Sequence, residues 1–392
     1  MTAPFYPHAT GVVGIIALAI WLHLFFGRGW FWRVKKLDVD RGKDVALDDL
    51  PSVTAVVPAR NEAETIGQVV KGLLAQDYPG EFSIVVVDDH SEDSTAEIAR
   101  QTALQAGTQA RLQIVSAPAL PEGWTGKVWA MNSGAAAAAN PPAFYWFTDA
   151  DVHHAPDTLR RFVVQATQKR ADLASLMVLL QSKTFPERAL IPAFLYFFLM
   201  LYPPQWISDE ELKTAGAAGG CILLRREALE RIGGLAAIRN EVIDDCALAK
   251  KVKQSSGRVW MGLTRKSTSL RAYGTWGEIR DLIARTAFTQ LRYSAILLAG
   301  TLAGMLLTYA APIALLFTHD SIARVLGLAA WLLMSLSFLP TVGFYRLSPL
   351  WAPLLPLAAL FYTYATWLSA VRYWLGRGGQ WKGRAQAPKG AS

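Results

Sequence analysis

The sequence predicts an α/β domain with a mostly parallel sheet covered by helices on both faces, flanked by transmembrane helices at both ends. Between about residues 28 and 185, short β-branched runs alternate with helical patterns, which is typical of parallel sheets. Outside that region the chain is strongly apolar, and 52% of its 392 residues are hydrophobic while only 18% are charged. A chain of this length can hold one globular domain together with membrane segments.

The first apolar segment covers residues 10–26 and is followed by Arg28 and the aromatic cluster Trp30-Phe31-Trp32. The charge follows the apolar stretch, and no small-residue cleavage site comes after it, so an uncleaved anchor fits better than a signal peptide. We therefore predict an anchor over residues 1–27, with its Lys/Arg side in the cytoplasm.

Three further segments, near residues 294–317, 322–345 and 349–371, are long enough to span a bilayer. We assign residues 294–375 to C-terminal transmembrane helices and residues 376–392 to a basic tail. The net charge of +8 lies mostly beside apolar segments, which indicates anionic lipid head groups rather than nucleic acid as the partner. Three crossings after a cytoplasmic domain would leave the basic tail outside. Either the tail breaks the positive-inside rule, or one segment does not cross.

A fifth apolar stretch, residues 189–207, is broken by Pro192 and Pro203-Pro204. It can be a core helix or a helix that lies in the membrane interface. We predict an interfacial helix inside a domain that covers residues 28–293, because that position would let an enzyme reach a lipid.

The elements between the membrane segments follow from short apolar runs and the helical patterns between them. Ligands of parallel sheets bind at the carboxyl ends of the strands, so polar residues that follow strands are candidates for a site. Three such clusters are Pro58-Ala59-Arg60-Asn61, Asp88-Asp89 and Asp149-Ala150-Asp151. The predicted strands are 53–57, 84–87, 112–115 and 144–147, and the predicted helices are 62–76, 94–106, 126–138 and 244–254.

The Asp149-Ala150-Asp151 element follows a fully apolar run. Carboxylate oxygens suit Mg²⁺ or Mn²⁺, which is usually shared with substrate phosphates, although Asp at a strand end also forms ordinary turns. His153 follows closely and could complete the metal shell. The Asp88-Asp89 pair can accept hydrogen bonds from a base or a ribose, or it can cap the next helix.

Three further motifs carry possible chemistry. Lys127, at a predicted helix start, could meet a diphosphate as a point charge or could simply be solvated. Gly219 and Gly220 would let the backbone approach a ligand closely, or would form a tight turn. Asp244 and Asp245 could favour a helix dipole, or could supply a general base, because adjacent carboxylates raise each other's pKa.

Two groups of residues remain. Cys221 and Cys246 lack metal-ligand spacing, which predicts buried thiols, a reduced compartment and no disulfide framework. Near the first C-terminal membrane segment, cationic side chains can snorkel to head groups or meet an anionic substrate. The residues of this second group are Arg285, Gln290, Arg292 and Tyr293.

Taken in order, these motifs resemble the family 2 glycosyltransferases with a GT-A fold, over about residues 50–295. The matching stretches are residues 56–62, residues 86–95, Gly126-Lys127 with Ala130 and Asn132, Asp149-Ala150-Asp151, and Asp244-Asp245 with Leu248. Within that family the chain is similar to the hopene-associated membrane glycosyltransferases of hopanoid-making bacteria. That closer resemblance rests on residues 123–130, 191–194, 217–221 and 243–249.

The resemblance implies a Rossmann-like sheet, a divalent metal, Asp245 as general base with Asp244 beside it, and Glu62 and Asp89 at the nucleotide. The implied metal ligands are Asp149 and Asp151, with His153 added. The implied donor-binding residues are Pro58, Ala59, Arg60, Glu62, Asp88, Asp89, Lys127, Asp149, Gly219, Gly220 and Arg292.

Two departures from the family pattern matter. His90 stands where glycine is usual after the Asp pair. The Gln-x-x-Arg-Trp element is degenerate, because Gln290-Leu291-Arg292-Tyr293 has Gln one place too close and Tyr in place of Trp. The second departure favours a single transfer over processive polysaccharide synthesis.

The resemblance thus implies a membrane-bound inverting glycosyltransferase that moves a sugar from a nucleotide-diphosphate sugar, a UDP-sugar first, to a lipid hydroxyl such as that of a hopanoid. It would lie in a bacterial inner membrane with its catalytic domain facing the cytoplasm. One alternative is a polyprenyl-phosphate or other glycolipid sugar transferase. Another is a nucleotidyltransferase, which should carry a glycine-rich loop where this chain has residues 58–61. A catalytically silent membrane scaffold is the non-enzyme alternative.

Overall fold

The structure is a computed structural model that describes residues 7–41, 50–376, 380–381 and 384–385. It divides into two compact units. The helical unit comprises Met1–Lys36, Ser182–Gln205 and Tyr273–Gly378, and the sheet unit comprises Leu37–Gln181, Trp206–Ala272 and Gly379–Ser392. These units differ from the predicted boundaries of 28–293 and 294–375, because residues 28–36, 182–205 and 273–293 cluster with the apolar helices. The predicted basic tail, residues 376–392, lies largely outside the described residues.

The four predicted strands are present and extend their apolar runs by one to three residues. The described strands are β1 (Val53–Ala59), β2 (Phe82–Asp88), β3 (Leu112–Ser116), β4 (Phe144–Thr148), β5 (Val152–His154), β6 (Leu173–Leu179), β7 (Cys221–Arg225), β8 (Val259–Ser269), β9 (Gln380–Trp381) and β10 (Arg384–Ala385).

The helices include the four predicted from helical patterns in the first 254 residues. They are α1 (Pro7–Leu22), α2 (Ile66–Leu74), α3 (Thr95–Gln105), α4 (Gly126–Ala137), α5 (Thr158–Gln168), α6 (Phe185–Leu201), α7 (Pro204–Ser208), α8 (Arg226–Arg231), α9 (Asp244–Gln254), α10 (Trp276–Ala284), α11 (Ala287–Gln290), α12 (Ala295–Met305), α13 (Ala311–Leu315), α14 (Ser321–Phe344) and α15 (Leu355–Trp374). Two π-helical turns, His23–Gly27 and Leu306–Ala310, extend α1 and join α12 to α13, and a 3₁₀ helix, Pro349–Leu354, precedes α15.

The sheet unit is built on an eight-stranded sheet in the order β3-β2-β1-β4-β7-β6-β8-β5. Strands β3, β2, β1 and β4 are parallel, as predicted, and every residue of β1 and β4 is buried. However, β7 runs antiparallel to both β4 and β6, and β5 runs antiparallel to β8. Strand β6 is parallel to β8, so four of the seven strand pairs are parallel. The sheet is therefore mixed but mostly parallel, as predicted.

Strand β1 continues through Pro58 to Ala59, whereas the sequence pattern predicts its end at Val57. The ladder between β1 and β4 stops at Val56, which pairs with Phe147, while Pro58 still pairs with Val87 of β2. Proline lacks a backbone donor and is tolerated where a ladder ends. The carboxyl ends of β1 and β4 are thus unpaired with each other, and polar residues follow both.

Close packing sets the height of α4 above the sheet. A Cβ atom on Gly134 would lie 2.4 Å from Val56 Cγ1 and 2.7 Å from Val87 Cγ2, so only glycine allows the observed distance. Helix α2 buries Ile66, Val69 and Leu73 at helical spacing, in one core cluster with Val57 and Val86. The first turn of α4 is thereby held at the carboxyl ends of β1 and β2.

Among the residues that the structure describes, the helical unit has four helical segments with the length and hydropathy to cross a membrane: Ala9–Gly27, Ala295–Leu315, Ser321–Phe344 and Pro349–Trp374. The predicted stretch 189–207 forms α6 and α7. The Tyr196 hydroxyl lies 2.6 Å from Ser337 Oγ of α14, and the Tyr362 hydroxyl of α15 donates to Leu190 O at 3.0 Å. Helix α6 is apolar around most of its circumference and is largely buried, and its predicted place in the membrane interface stays a prediction.

Candidate active site

Four charged side chains of the sheet unit meet near the carboxyl ends of β1 and β4. Lys127 Nζ, in the first turn of α4, lies 2.9 Å from Asp149 Oδ1 and 3.4 Å from Asp244 Oδ2. Asp149 follows β4, and Asp244 and Asp245 begin α9, so three separate elements supply the groups. We call Lys127, Asp149, Asp244 and Asp245 the charged cluster.

Lys127 is the cation of the charged cluster. Its burial disfavours the charged form, but Asp149 and Asp244 more than compensate, and the pKa of Lys127 is raised above its ordinary value. The ammonium group is therefore fixed between carboxylates rather than solvated, and its contact with a diphosphate stays a prediction.

Asp245 is held in one orientation by two backbone donors. Gly219 N–H donates to Asp245 Oδ2 at 2.8 Å, and Cys246 N–H donates to Asp245 Oδ1 at 2.7 Å. Burial and the neighbouring Asp244 raise the pKa of Asp245 to about 6, while Lys127 opposes that rise. A carboxylate with this pKa is mostly ionised at neutral pH and can accept a proton.

The loop before β7 brings Gly219 against the charged cluster. The Ser175 hydroxyl donates to Ala218 O at 3.2 Å and accepts from Ala218 N–H at 2.8 Å, which fixes the loop on β6. A Cβ atom on Gly219 would lie 3.2 Å from Asp245 Oδ2 and 3.3 Å from Lys127 Nζ. The absence of a side chain at Gly219 therefore lets the backbone reach both groups.

Asp151 lies two residues after Asp149. Burial raises the pKa of Asp151 to about 6, with further contributions from Asp149 and Glu62, while Arg271 and Lys127 oppose the rise. Arg271 follows β8, a strand that the sequence analysis did not predict. Several carboxylates are thus concentrated at this edge of the sheet, and the cations that oppose them are Lys127 and Arg271.

A hard divalent cation fits this donor set. Asp149 and Asp151 offer carboxylate oxygens beside an excess of negative charge, and Mg²⁺ or Mn²⁺ is commonly held by one or two carboxylates together with substrate phosphates. Within residues 7–41, 50–376, 380–381 and 384–385, no group of three His, Cys, Asp or Glu side chains could hold a metal by itself.

His153 does not join Asp149 and Asp151. Its Nδ1 lies 3.4 Å from Gln68 O, and a Cβ atom on Gly72 would lie 2.7 Å from that nitrogen, so the ring packs on α2. The prediction of His153 as a third metal ligand is therefore not supported by its position. Successive side chains of β5 point to opposite faces, and His153 points towards α2.

His154 points the other way and is fully buried. Its ring nitrogens lie 2.7 Å from Thr148 Oγ1 and 2.7 Å from Ser267 Oγ, and Thr148 also donates to Gly220 O at 3.1 Å. Burial lowers the pKa of His154 to about 3, so its imidazole is neutral. This network ties β4, β5 and β8 to the loop that carries Gly219.

The carboxyl ends of β1 and β2 form a second group of predicted site residues. Pro58, Ala59 and Asp89 are buried, and Asp89 N–H donates to Ala59 O at 2.8 Å. Arg60 Nη1 donates to Asp89 O at 2.6 Å and to His90 O at 3.1 Å. Arg60 therefore fixes the backbone after β2, which is a positioning role that its sequence did not reveal.

The turn after Arg60 is braced by hydrogen bonds to residues 91–95. Asn61 N–H donates to Ser91 Oγ at 3.0 Å, Asn61 Oδ1 accepts from Glu92 N–H at 2.8 Å, and Glu62 N–H donates to Thr95 Oγ1 at 2.8 Å. The sequence signal for this turn was present, because these polar residues directly follow β1 and β2.

His90 adopts a left-handed backbone conformation, with φ of 53°. Glycine favours this region, which gives a physical reason for the glycine that is usual at this place in the family pattern. Histidine is among the residues that enter the region more often than most, so the departure keeps the turn. Asp88 Oδ1 accepts from Ser91 N–H at 3.2 Å and helps to close it.

The remaining predicted site residue, Arg292, belongs to the helical unit. Arg292 and Tyr293 both adopt positive φ, 51° and 57°, directly before α12. Gln290 Oε1 accepts from the Tyr202 hydroxyl at 2.8 Å. Both cysteines are free and buried, as expected.

Comparison with solved structures establishes the class of fold. The chain is similar to the mannosyltransferase PcManGT from Pyrobaculum calidifontis in complex with GDP-Man and Mn²⁺, with a TM-score of 0.56 and 21% identity over 91% of this chain and 99% of that one. Together with the mixed sheet and the carboxylates at its edge, this similarity identifies a GT-A fold.

The sequence of the same region resembles one family. Residues 54–233 match the model of glycosyl transferase family 2.

Two curated relatives are similar over parts of their length. The chain is 24% identical to the probable glycosyltransferase YdaM of Bacillus subtilis over 61% of this chain and 54% of that protein. It is 34% identical to the beta-monoglucosyldiacylglycerol synthase of a Synechocystis species over 31% of this chain and 24% of that protein. The chain thus spans about half of one relative and a quarter of the other.

Proposed function

We propose that the protein is a membrane-bound inverting glycosyltransferase that moves a sugar from a nucleotide-diphosphate sugar to a hydroxyl group of a lipid. The observation that carries this proposal is the orientation of Asp245. Two backbone N–H groups hold its carboxylate beside Lys127, and its pKa is raised to about 6. A fixed, partly protected carboxylate at the edge of a GT-A sheet suits a general base.

The donor nucleotide is proposed to bind at the ends of β1 and β2. Asp89 and Glu62 would contact the base or ribose, with Pro58 and Ala59 lining the pocket and Asp88 beside it. The donor diphosphate would then extend towards Asp149 and Lys127. A UDP-sugar is the first candidate; the neighbour PcManGT was solved with GDP-Man, so guanine nucleotides belong in the same test.

Asp149 and Asp151 are the proposed ligands of the divalent metal. When bound, Mg²⁺ or Mn²⁺ would neutralise charge on the departing diphosphate. PcManGT was solved with Mn²⁺, which supports this choice of metal. Gly219 would allow the donor to approach the backbone, whereas a Cβ on Gly220 would meet Val178 and Val152 instead. Lys127 would contribute a fixed positive charge beside the diphosphate.

Asp245 would accept the proton of the acceptor hydroxyl as its oxygen attacks the anomeric carbon. The bond from that carbon to the diphosphate oxygen breaks on the opposite face, so a single displacement inverts the anomeric centre. Asp244 and Lys127 would position Asp245 and set its pKa, because Asp244 raises this pKa and Lys127 lowers it.

A lipid acceptor is supported by the four helical segments that are long and apolar enough to cross a membrane. The similar Synechocystis protein is a beta-monoglucosyldiacylglycerol synthase, which makes a diacylglycerol-type acceptor the first comparison. A hopanoid acceptor rests on the resemblance of the motifs alone. We propose a bacterial inner membrane location, with residues 37–181 and 206–272 in the cytoplasm. A polyprenyl-phosphate acceptor is the nearest alternative.

The test is incubation of membranes that contain the protein with labelled UDP- and GDP-sugars and Mn²⁺, followed by mass spectrometry of the extracted lipids. We expect one donor to yield a lipid whose mass has increased by one sugar. Membranes with Asp245→Asn serve as the control and should lack the product. Label on polyprenyl phosphate alone would support the alternative acceptor, and no labelled lipid with any donor would contradict lipid glycosylation.

A further inference from the structure

We infer that residues 349–374, which have the length and hydropathy of a fourth crossing, instead enter the membrane and return to the side from which they came. The inference rests only on contacts inside the helical unit. It is independent of the reaction proposed above.

The first three candidate segments define two opposite ends of the helical unit. Thr10 Oγ1 donates to Asp320 Oδ2 at 2.9 Å, so the N-termini of α1 and α14 lie at the same end. Leu315, the last residue of α13, is joined to α14 by five residues and lies at that end too. The opposite end therefore holds Gly27, Ala295 and Phe344. The chain leaves the first candidate segment at this end, at Gly27.

After Phe344 the chain turns back along α14. Trp331 Nε1 donates to Pro353 O at 3.0 Å. Trp331 precedes Phe344 by 13 residues (344 − 331), which is about 20 Å along a helix at 1.5 Å per residue. The 3₁₀ helix Pro349–Leu354 thus runs into the interior of the helical unit from the Phe344 end.

Helix α15 then returns to that same end. The Tyr373 ring stacks on Tyr293 with centroids 4.4 Å apart, and Phe288 lies 5.6 Å from the ring of Trp374. Phe288 and Tyr293 directly precede α12, and Ala370 packs with Phe288 and Leu298 in one apolar cluster. If α15 crossed the membrane, Trp374 would lie near Leu315 instead. Leu315 is about 30 Å from Ala295, because the segment Ala295–Leu315 has 21 residues.

The charges beside α15 agree with a position near the membrane surface. Arg372 Nη2 lies 2.7 Å from Asp281 Oδ1 of α10, and Arg280 Nε lies 2.9 Å from the same oxygen. Ionised groups of this kind are costly at the bilayer centre and acceptable at its surface. With three crossings, Arg372 lies on the same side as Arg28 and Arg33, which agrees with the positive-inside rule.

The partner of the re-entrant segment is the acyl-chain region of one leaflet. Its exposed side chains are apolar: Leu350 is 81% exposed and Leu357 is 64% exposed. The Phe185 ring, 65% exposed, packs at 5.6 Å on Trp351 and at 6.0 Å on Trp276, which extends this exposed apolar surface.

The test is single-cysteine labelling of the full chain with a membrane-impermeant maleimide, in right-side-out and inverted vesicles. Both native cysteines are buried, so the unmodified chain serves as the background. Gln105→Cys marks the sheet unit, His319→Cys marks the connection between α13 and α14, and Ser392→Cys marks the tail.

We expect Gln105→Cys and Ser392→Cys to react from the same side, and His319→Cys from the opposite side. Reaction of Ser392→Cys from the His319→Cys side would mean a fourth crossing and would overturn the inference. Reaction of His319→Cys from the Gln105→Cys side would mean that α12 and α14 do not cross, which would overturn it as well.

Discussion

Asp245 is the residue whose protonation state we expect to control the rate. Its pKa is raised to about 6 by burial and by Asp244. Because a base must be ionised to accept a proton, the turnover number should be constant above this pKa and should fall about tenfold per pH unit below it. The measurement is turnover from pH 4.5 to 8 at saturating donor.

Asp151 has a pKa of similar value, so metal affinity should also weaken in acid. Saturating Mn²⁺ at each pH separates the two effects. A rate that stays constant down to about pH 4.5 under those conditions would contradict the role of Asp245 as base.

Lys127 tests how the charged cluster sets that pKa. Lys127→Met removes the positive charge that lowers the pKa of Asp245, so the acid limb of the pH profile should move up by about one unit or more. Lys127→Arg keeps the charge and serves as the matched control, with a smaller displacement. An acid limb that stays in place in Lys127→Met would show that the lysine does not act on Asp245.

At the residue scale, the sequence predicted which acidic residues lie near one another. It predicted their contacts less well. Asp149, Asp244 and Lys127 meet within hydrogen-bonding distance or close to it, although they are far apart in the chain. His153 was misplaced because two adjacent histidines in a strand face opposite sides, and the sequence alone does not show which one faces the site. Arg271 was missed because its strand, β8, was missed.

The loop before β7 offers a matched pair at the scale of an element. An added Cβ in Gly219→Ala would lie 3.2 Å from Asp245 Oδ2 and 3.3 Å from Lys127 Nζ, so it should displace both and lower turnover about tenfold or more. In Gly220→Ala the added atom would meet only Val178 and Val152 methyl groups, at 3.3 and 3.4 Å. We expect turnover within about threefold of the unmodified chain for Gly220→Ala. Equal losses in steady-state turnover would contradict the role assigned to Gly219.

The short strand β5 provides a second matched pair. His154→Ala removes a buried ring and leaves Thr148 and Ser267 without their shared partner, so it should destabilise the sheet unit by about 2–5 kcal/mol. His153→Ala affects a partly exposed ring on α2 and should cost less. Thermal unfolding in detergent measures both. We also expect unchanged Mn²⁺ affinity in His153→Ala, and a tenfold loss of affinity there would restore His153 as a ligand.

The elements that the sequence predicted well are those whose buried residues are mainly apolar. Strands β1, β2 and β4 are continuous apolar runs, and α9 begins at Asp244 as predicted. Strand β8 was missed because three of its buried residues, Thr264, Ser267 and Ser269, are polar. The apolar pattern of the strand is therefore weak. Thr264 donates to Asp40, and Ser267 contacts His154, so partners distant in sequence make the polar burial possible.

At the scale of the whole molecule, the sequence separated a sheet domain from apolar helices but did not place their boundary. Glu187 illustrates why. Its buried carboxylate accepts from Lys183 N–H at 2.8 Å and from Tyr273 N–H at 2.8 Å, which joins the two segments where the chain enters the helical unit. Such long-range contacts have no local pattern. The sheet-unit boundary therefore falls at residues 181 and 272, rather than at the first residue of a membrane segment.

For the whole molecule, we propose that sugar transfer takes place at the charged cluster, with Asp245 as the base. The most direct measurement is sugar transfer by Asp245→Asn at saturating donor and Mn²⁺, with donor binding measured on the same sample. We expect turnover to fall by about 10²- to 10⁴-fold, with donor affinity within a few-fold of the unmodified chain. Turnover within tenfold of the unmodified chain, with donor binding intact, would contradict the central claim.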